Sequence, residues 1–576
     1  MTNRQFSFRK IFDSPGLMLV FIGIILALGI HGFLLINQHS YQGTYDAYVH
    51  IFFASKVKNH LGMTWVYNWF EGFDLVSYPP LVPQLIAAFS RWMPLERAYV
   101  AVQLLAITLM VTGSYRFCRL WLAPLPSGYA AICAALMTSM AQQIHQFGQL
   151  PTCFATALVL HAMYYFSRWC LTGAIGSLVA GLLYTVITSL AHHLTFFLFF
   201  PVAFGIVSLT LSMGVNRYDR QCQAPVFRRI SLFFLLAVMS AGLVLHPFFE
   251  FVLQKMPHQA EIPHATRANY FADIASMLNF FIAPLASCFL GILLVPKIFR
   301  DHFLLRPLVI GILFFCLLGL GGTTPVPAFI FGKFWKIFTF DRFAAWAAVL
   351  LLPMIGYLFS LIQKPILRMI LIALQASLLI SYFAVLRGVK FQPDPVDLNP
   401  VANFLSQPDK KTFRYVTLGL GSQMAKLSYM TPAPSVDGLY FTARTTKVLR
   451  NSGIEAIDSA KYFGEQGQKV LEAYLEHPED YNLRYAVVND EFYVAMLRKH
   501  DWRLLQGNFG NLKIWESRKT TRALPKSYFK QRSSLGSLSQ FFWSCGIPVL
   551  LIAFFVDARI WLRAFSHGEV NETRVN

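Results

Sequence analysis

The stretch LMLVFIGIILALGIHGFLLINQHSYQGTYDAYVH, residues 17–50, decides the fold. Its first part, Leu17 to Ile36, is apolar and long enough to cross about 30 Å of hydrocarbon, and the polar gap after it carries an acid close to the membrane boundary. Asp46 and His50 stand four residues apart, so a helix there places carboxylate and imidazole on one face, a pair suited to acid/base or ion-binding work. Ionisable groups near a bilayer are functional candidates because they are costly to place there. At the wet edge of a span the cost is smaller, and a solvated helix edge is the plainer alternative.

Outward from this stretch the chain stays apolar. Of 576 residues, 55% are hydrophobic, 15% aromatic and 14% charged, and the mean hydropathy is +0.48. That excludes an ordinary soluble domain and indicates a polytopic membrane protein. A net charge of +20 would suggest nucleic acid in a soluble chain, but here Lys and Arg are scattered through loops between apolar spans. The charge is topological, and no nucleic-acid partner is expected. Eight cysteines (Cys118, Cys133, Cys153, Cys170, Cys222, Cys288, Cys316, Cys545) show no paired spacing, so neither a zinc site nor a disulfide framework is indicated. The first span has no small-residue cleavage signature and reads as a retained helix.

Apolar stretches of crossing length start at Leu17, Ala98, Gly128, Leu150, Ile175, Leu194, Ile230, Ile274, Leu308, Phe343, Met369 and Phe541, about twelve spans. Alternate directions from a cytoplasmic N-terminus put Arg4, Arg9 and Lys10 inside, then Arg116 and Arg119, Arg168, Arg217 to Arg229, Lys297 to Arg306, and Lys364 with Arg368, as the positive-inside rule requires. The loop with Asp46, the loop from His246 to Ala272, the Gly321 to Arg342 connection and the polar block after Arg387 fall outside. Arg518, Lys519, Arg522, Lys526, Lys530 and Arg532 fit badly, since they too fall outside, just before the last span. A folded domain that translocates regardless of charge, its basic run resting on anionic headgroups, accounts for them; holding a lipid phosphate is the sharper alternative.

In the polar block, apolar runs shorten to strand length. RYVTLGLG from Arg414 reads as a strand into a glycine turn, Gly467 to Glu476 as a helix, RYAVVND from Arg484 as a buried strand, and the end at NLKIWE as two more strands. The expected organisation is a bundle over 1–387 with a long first external loop (38–80), a soluble α/β domain over 388–537, and a last transmembrane helix with a cytoplasmic tail over 538–576. The fold class is mainly α: a polytopic transmembrane helical bundle with a C-terminal extracytoplasmic α/β domain before the last span. GLGS at Gly419 is too short to be a nucleotide-binding loop.

The first external loop continues with Trp65, Trp69, Phe70, Glu71 and Gly72, and then Tyr78, Pro79, Pro80 and Leu81. Aromatic residues at this density belong at headgroup level and a Pro pair separates two helices, so the loop is expected to lie flat on the membrane with Asp46, Glu71 and Asp74 above the bundle's mouth. The early acid in YDAYVH, the W-x-x-x-WF-x-G stretch and YPPL resemble the GT-C superfamily of membrane glycosyltransferases. The likeness is to the bacterial and archaeal branch related to protein mannosyltransferases, and GQLP at Gly148, LAHHLT at Leu190, LGLGGTTPVP at 318–327, FDRFAAW at Phe340 and VDGLY at Val436 agree with it.

That resemblance implies an integral protein of a bacterial or archaeal inner or plasma membrane. Its function would be to transfer a sugar from a polyprenyl-phosphate-linked donor to a glycan, lipid or protein acceptor at the extracytoplasmic face, as an inverting enzyme moving a hexosyl group. It places the catalytic acid at Asp46, with His50 as partner, and Glu71, Asp74 and Tyr78 near substrate. The loop has no Asp-x-Asp, so no cofactor is indicated, and a divalent cation enters only through the family's metal-dependent version. Arg342, with Lys333 and Lys336 nearby in sequence, can offer cations to a phosphate, or Arg342 can be a snorkelling anchor beside Asp341. His192 and His193 interrupt an apolar run and can contact a headgroup, or cap a helix end. Glu250, His258, Glu261 and His264 show no metal spacing. A transporter or lipid-handling protein on the same bundle is the other reading, as is a catalytically silent member of the fold. Acids gathered in external loops, with no visible repeat, favour the enzyme.

Overall fold

The computed structural model describes residues 14–59, 61–62, 64–218, 223–254, 258–530 and 536–567. Arg4, Arg9, Lys10, Arg220, Cys222 and Arg532 lie outside the described residues, as does the side chain of Arg217. Among the described residues, seven helices are long and apolar enough to cross a membrane: Pro15–Ile36, Leu95–Cys118, Thr195–Gly214, Ala224–Leu253, Ile274–Leu293, Asp341–Leu361 and Pro365–Gly388. The pair Leu538–Ser544 and Gly546–Arg563, bent by 48°, makes eight if it is one crossing.

Length and apolarity therefore do not support all of the roughly twelve crossings expected from runs of apolar residues. Ile175–Ala191 and Phe303–Gly319 are apolar but shorter. Pro124–Ala135 has 12 residues and reaches only about 18 Å. Leu150–Thr172 carries Thr152, Thr156, His161 and Ser167, all buried, because a helix enclosed by its neighbours needs no lipid-compatible surface. Leu95–Cys118 and Asp341–Leu361 form the interior, whereas Pro365–Gly388 lies almost wholly on the outside. On Gln223–Gln254, exposed Leu232, Leu235, Met239 and Leu243 recur at helical spacing, as lipid contact requires. Small residues allow the tightest contact in the bundle's first part. A Cβ on Gly16 would lie 2.4 Å from the Pro124 carbonyl oxygen, and one on Gly128 2.7 Å from that of Gly16.

The two ends of the bundle differ. At one end Glu96, in the first turn of Leu95–Cys118, accepts a hydrogen bond from Tyr429 of the C-terminal block at 2.8 Å. At the other end of the same helix, Arg116 pairs with Asp557 of the last helix. The last helix starts where the Gln84 amide donates to the Trp543 carbonyl (3.0 Å) and runs from the Asp46 side to the Arg116 side.

In the first loop, β1 (Trp65–Val66) and β2 (Phe73–Asp74) form a small antiparallel hairpin. The C-terminal block holds a four-stranded sheet in the order β3–β4–β6–β5, with β3 (Arg414–Leu418) parallel to β4 (Leu483–Val488), and β6 (Lys513–Glu516) antiparallel to both β4 and β5 (Arg503–Leu504). The parallel pair needs a long crossover, which helices Gln423–Met430 and Gly464–Glu476 supply.

This block and the aromatic loop are not separate parts. The Trp69 ring is fully buried, stacks on Phe52 with centroids 4.0 Å apart, and donates its indole N–H to Ser428 Oγ at 2.9 Å. Gly438 of VDGLY makes room for it: a Cβ there would meet the indole at 2.6 Å. The Ser435 N–H donates to the Asn68 carbonyl at 2.7 Å, and Tyr440 and Ser77 share a hydrogen bond of 2.7 Å. The expectation of a loop lying flat at headgroup level is thereby corrected. Its aromatic rings find a larger apolar surface against the α/β block than an interface would offer, and one core runs through both.

Candidate active site at one end of the bundle

Three π-helical turns, at 143–147, 195–199 and 278–282, frame the end of the bundle that carries Asp46. Such turns widen a helix and re-aim the residues beside them. After the first comes Gly148, at φ +72, whose missing Cβ would lie 2.6 Å from Thr44 Oγ1 and 2.8 Å from the Ala47 nitrogen. The start of helix Ala47–Val57 thus sits directly on this turn, and the Asp46 N–H donates to the Phe147 carbonyl at 3.0 Å. Asp46 occupies the N-cap position without capping; Thr44 Oγ1 takes the Ala47 N–H instead, at 3.3 Å. The half-buried Asp46 carboxylate accepts no hydrogen bond from any described residue. Burial pushes its carboxyl up to about 7; Asp341 and Glu455 act in the same sense, and Arg342 opposes them.

Arg342, whose charge acts on Asp46, stands at the start of Asp341–Leu361. Its Nε donates to Thr152 Oγ1 at 3.2 Å and its Nη1 to Thr339 Oγ1, with Asp341 Oδ1 at 3.5 Å. Nη2 donates to no described residue. Asp341 is itself held by Gln149, whose amide donates to Oδ2 at 2.6 Å. Arg342 is therefore held through Nε and Nη1, and only Nη2 is left over.

His192 completes the group. Its Nδ1 accepts the Thr195 N–H (3.3 Å) and hydroxyl (2.7 Å), which puts the proton of the neutral ring on Nε2. Burial, and then the Arg342 charge, hold it well below the ordinary imidazole range, so it remains a neutral donor. His264 is built the same way, with Nδ1 accepting from Thr266 N–H (3.2 Å) and Oγ1 (2.8 Å), and it feels both Asp341 and Arg342.

The other expected site residues go elsewhere. His50 was expected as the catalytic partner of Asp46, but both its nitrogens are taken. Nε2 donates to the Gly148 carbonyl at 3.1 Å, Nδ1 accepts from Tyr78 Oη at 2.8 Å, and burial lowers it to about 3. It ties the Gly148 turn to Tyr78. Asp74 accepts from Thr64 Oγ1 at 2.8 Å and closes the hairpin. Glu71 is exposed, its N–H donating to Thr445 Oγ1 at 3.4 Å, and its charge acts on Tyr474 and Tyr481 of the α/β block rather than on Asp46. His193 is buried against Phe248, with ring centroids 4.1 Å apart, and its Nε2 has no hydrogen-bond partner among the described residues. Lys336 pairs with Glu261 at 2.9 Å. The GLGS turn has no free amides to offer an anion, because the Asp458 carboxylate accepts the N–H groups of Leu420 (3.0 Å) and Gly421 (2.7 Å). Among the described residues, no three His, Cys, Asp or Glu side chains are grouped to hold a metal ion.

No family model matches the chain, and no curated protein matches it. Among solved structures it is similar to ArnT from Cupriavidus metallidurans in the apo state (TM-score 0.39, 11% identity, covering 81% of this chain and 92% of that one). It is also similar to the same protein bound to undecaprenyl phosphate (TM-score 0.37, 8% identity, covering 86% and 97%). Likenesses this remote assign neither a family nor an activity.

Proposed function

We propose that this integral membrane protein is an inverting glycosyltransferase that moves a hexosyl group from a polyprenyl-phosphate donor to a hydroxyl acceptor at the outer face. One observation carries the reading: the Asp46 carboxylate, which accepts no hydrogen bond from a described residue, feels the charge of Arg342, a guanidinium held through Nε and Nη1 with Nη2 left over. In the reaction the acceptor oxygen attacks the anomeric carbon, the bond from that carbon to the phosphate oxygen breaks, and Asp46 takes the hydroxyl proton. The carrier leaves as polyprenyl phosphate. A carboxyl near 7 suits a base at neutral pH, and a positioned base contributes roughly two to four powers of ten in rate. Arg342 Nη2 and the Nε2–H of His192 supply donors for the charge that develops on the leaving phosphate.

The test is transfer from labelled polyprenyl-phosphate hexoses by purified protein in lipid. Asp46→Asn should bind the carrier normally and lose at least about a hundredfold in rate, while Arg342→Ala should lose carrier binding. Normal transfer by Asp46→Asn would end the assignment of the base. Carrier binding without transfer by the wild type would favour a lipid-handling protein.

A further inference from the structure

The basic run before the last helix has no part in the transfer site, and its backbone is pinned at three positions. The buried Thr520 donates its hydroxyl to the Leu483 carbonyl at 2.7 Å. Leu524, also buried, donates its N–H to the Thr412 carbonyl at 2.9 Å. Tyr528 donates its hydroxyl to the Tyr67 carbonyl of the first loop at 2.8 Å, beneath the Arg414 guanidinium at 5.1 Å. Between and beyond these anchors stand Arg518, Arg522, Lys526 and Lys530, all exposed, and none of them makes an ion pair or side-chain hydrogen bond with a described residue. Lys519 is used on the Glu476 carbonyl at 3.0 Å, and Glu516, the acid just before the run, is held by Arg484 at 2.8 Å. From Ser517 to Val556 the sequence contains no Asp or Glu. An arm with an ordered backbone thus presents four uncompensated cations.

The arm lies close to where the last helix enters the membrane. Tyr67, which holds it, follows Gly62, where a Cβ would lie 2.7 Å from Gln540 Nε2 of that helix. The stretch from 62 to 67 spans at most about 18 Å even when extended. Leu538 and Phe541 of the same helix are exposed, as lipid-facing side chains are. The block touches this level elsewhere too: Lys426 pairs at 3.2 Å with Glu96 in the first turn of Leu95–Cys118, and Trp92, just before that turn, is 79% exposed, as an interfacial tryptophan is. We infer that the arm is a docking surface for anionic phospholipid headgroups, and that it holds the α/β block down beside the last helix. Juxtamembrane cations are drawn to anionic headgroups, each adding to the attraction. The four are strung along the chain with an anchored residue between each pair, which suits a field of many phosphates rather than one convergent ion. The backbone is already fixed, so little ordering is left to oppose binding. The Asp46 site shares no residue with this surface, which stands whether or not the protein transfers sugar.

The experiment places the full chain in lipid nanodiscs of phosphatidylcholine, alone or mixed with phosphatidylglycerol, and follows chymotrypsin cleavage at Tyr528 and Phe529, inside the arm. Cleavage of the wild type should be about tenfold or more slower in the mixed discs at low salt, and the difference should shrink as salt is raised. A variant carrying Arg518→Gln, Arg522→Gln, Lys526→Gln and Lys530→Gln should be cut at one rate in both discs, with its unfolding temperature in phosphatidylcholine unchanged. Arg518→Lys with Arg522→Lys should keep the protection, because a headgroup surface reads charge rather than the guanidinium fork. The salt series on the wild type decides the matter even where the fourfold variant fails to fold. Equal rates for the wild type in both discs, protection insensitive to salt, or protection that survives removal of all four charges would overturn the inference. So would loss of protection in the lysine variant, which would indicate a guanidinium-specific site. Equal protection by inorganic phosphate in phosphatidylcholine alone would overturn it in favour of a site for a free anion.

Discussion

At Asp46 the environment and the chemistry pull the same way. Its carboxyl stands at about 7 in the folded protein, against about 3.9 in an unfolded chain, so folding favours the protonated form. The stability this contributes is complete below about pH 4 and is lost as pH rises through about 7, and the base of the proposed transfer ionises over the same upper range. Two linked outcomes are expected. The kcat/KM for transfer should climb through an acid limb near pH 7 that Asp46→Asn lacks. Thermal unfolding in detergent should show wild type losing ground to Asp46→Asn between about pH 4 and 7. A limb at an ordinary carboxylate value, with no relative change in Tm, would place the carboxylate in open solvent. Asp46 and Arg342 were legible in the sequence because a charged residue at the edge of an apolar run invites explanation. The role of His50 was not, since i,i+4 spacing shows which face a side chain shares but not that Gly148 and Tyr78, far along the chain, use both its nitrogens.

Elements meet here through glycines more than through charge. WFEG and VDGLY each looked like a motif in its own right, yet they are two halves of one joint: Trp69 enters the space left by the missing side chain of Gly438. Local reading found the helices and strands of the block, because period and turn residues are local. It could not find a contact between residues more than three hundred positions apart. Gly438→Ala puts a Cβ 2.6 Å from the indole, and neither the buried ring nor the backbone held by Ser435 to Asn68 has room to move. The variant is expected to lose about 1–3 kcal/mol, the cost of overpacking a filled core. The block should then detach from the first loop before the bundle unfolds. Limited proteolysis in detergent checks this by the early appearance of a bundle fragment cut near residue 388. Cleavage no faster than wild type would mean that the remaining contacts, Tyr440 with Ser77 among them, hold the block alone.

Over the whole molecule, one ion pair fixes the last helix in a direction the sequence left open. The basic run before that helix and Arg559 and Arg563 after it gave opposing topological signals. The structure sets that helix's direction relative to Leu95–Cys118 through Asp557, which accepts both Arg116 Nη groups at 2.7 Å and the hydroxyls of Tyr184 (2.6 Å) and Tyr165. His161 joins by accepting from Arg116 Nη1 at 2.8 Å through Nδ1, and so keeps its proton on Nε2 for the Leu109 carbonyl at 3.1 Å. Every polar atom of the acid is thus answered by a donor on Leu95–Cys118, Leu150–Thr172 or Ile175–Ala191, so the last helix closes the bundle against three others. Such a pair contributes little net stability against apolar replacements of similar volume, but breaking it on one side strands a charge away from water at a cost of about 3–5 kcal/mol. Arg116→Met alone and Asp557→Leu alone should therefore each lower the unfolding temperature in detergent and expose the last helix to cleavage. The double variant should recover most of the loss. A double variant no better than the worse single one would show that the tyrosine hydroxyls and His161, left without partners, carry the penalty, and that the last helix is held by the whole polar cluster rather than by its central pair.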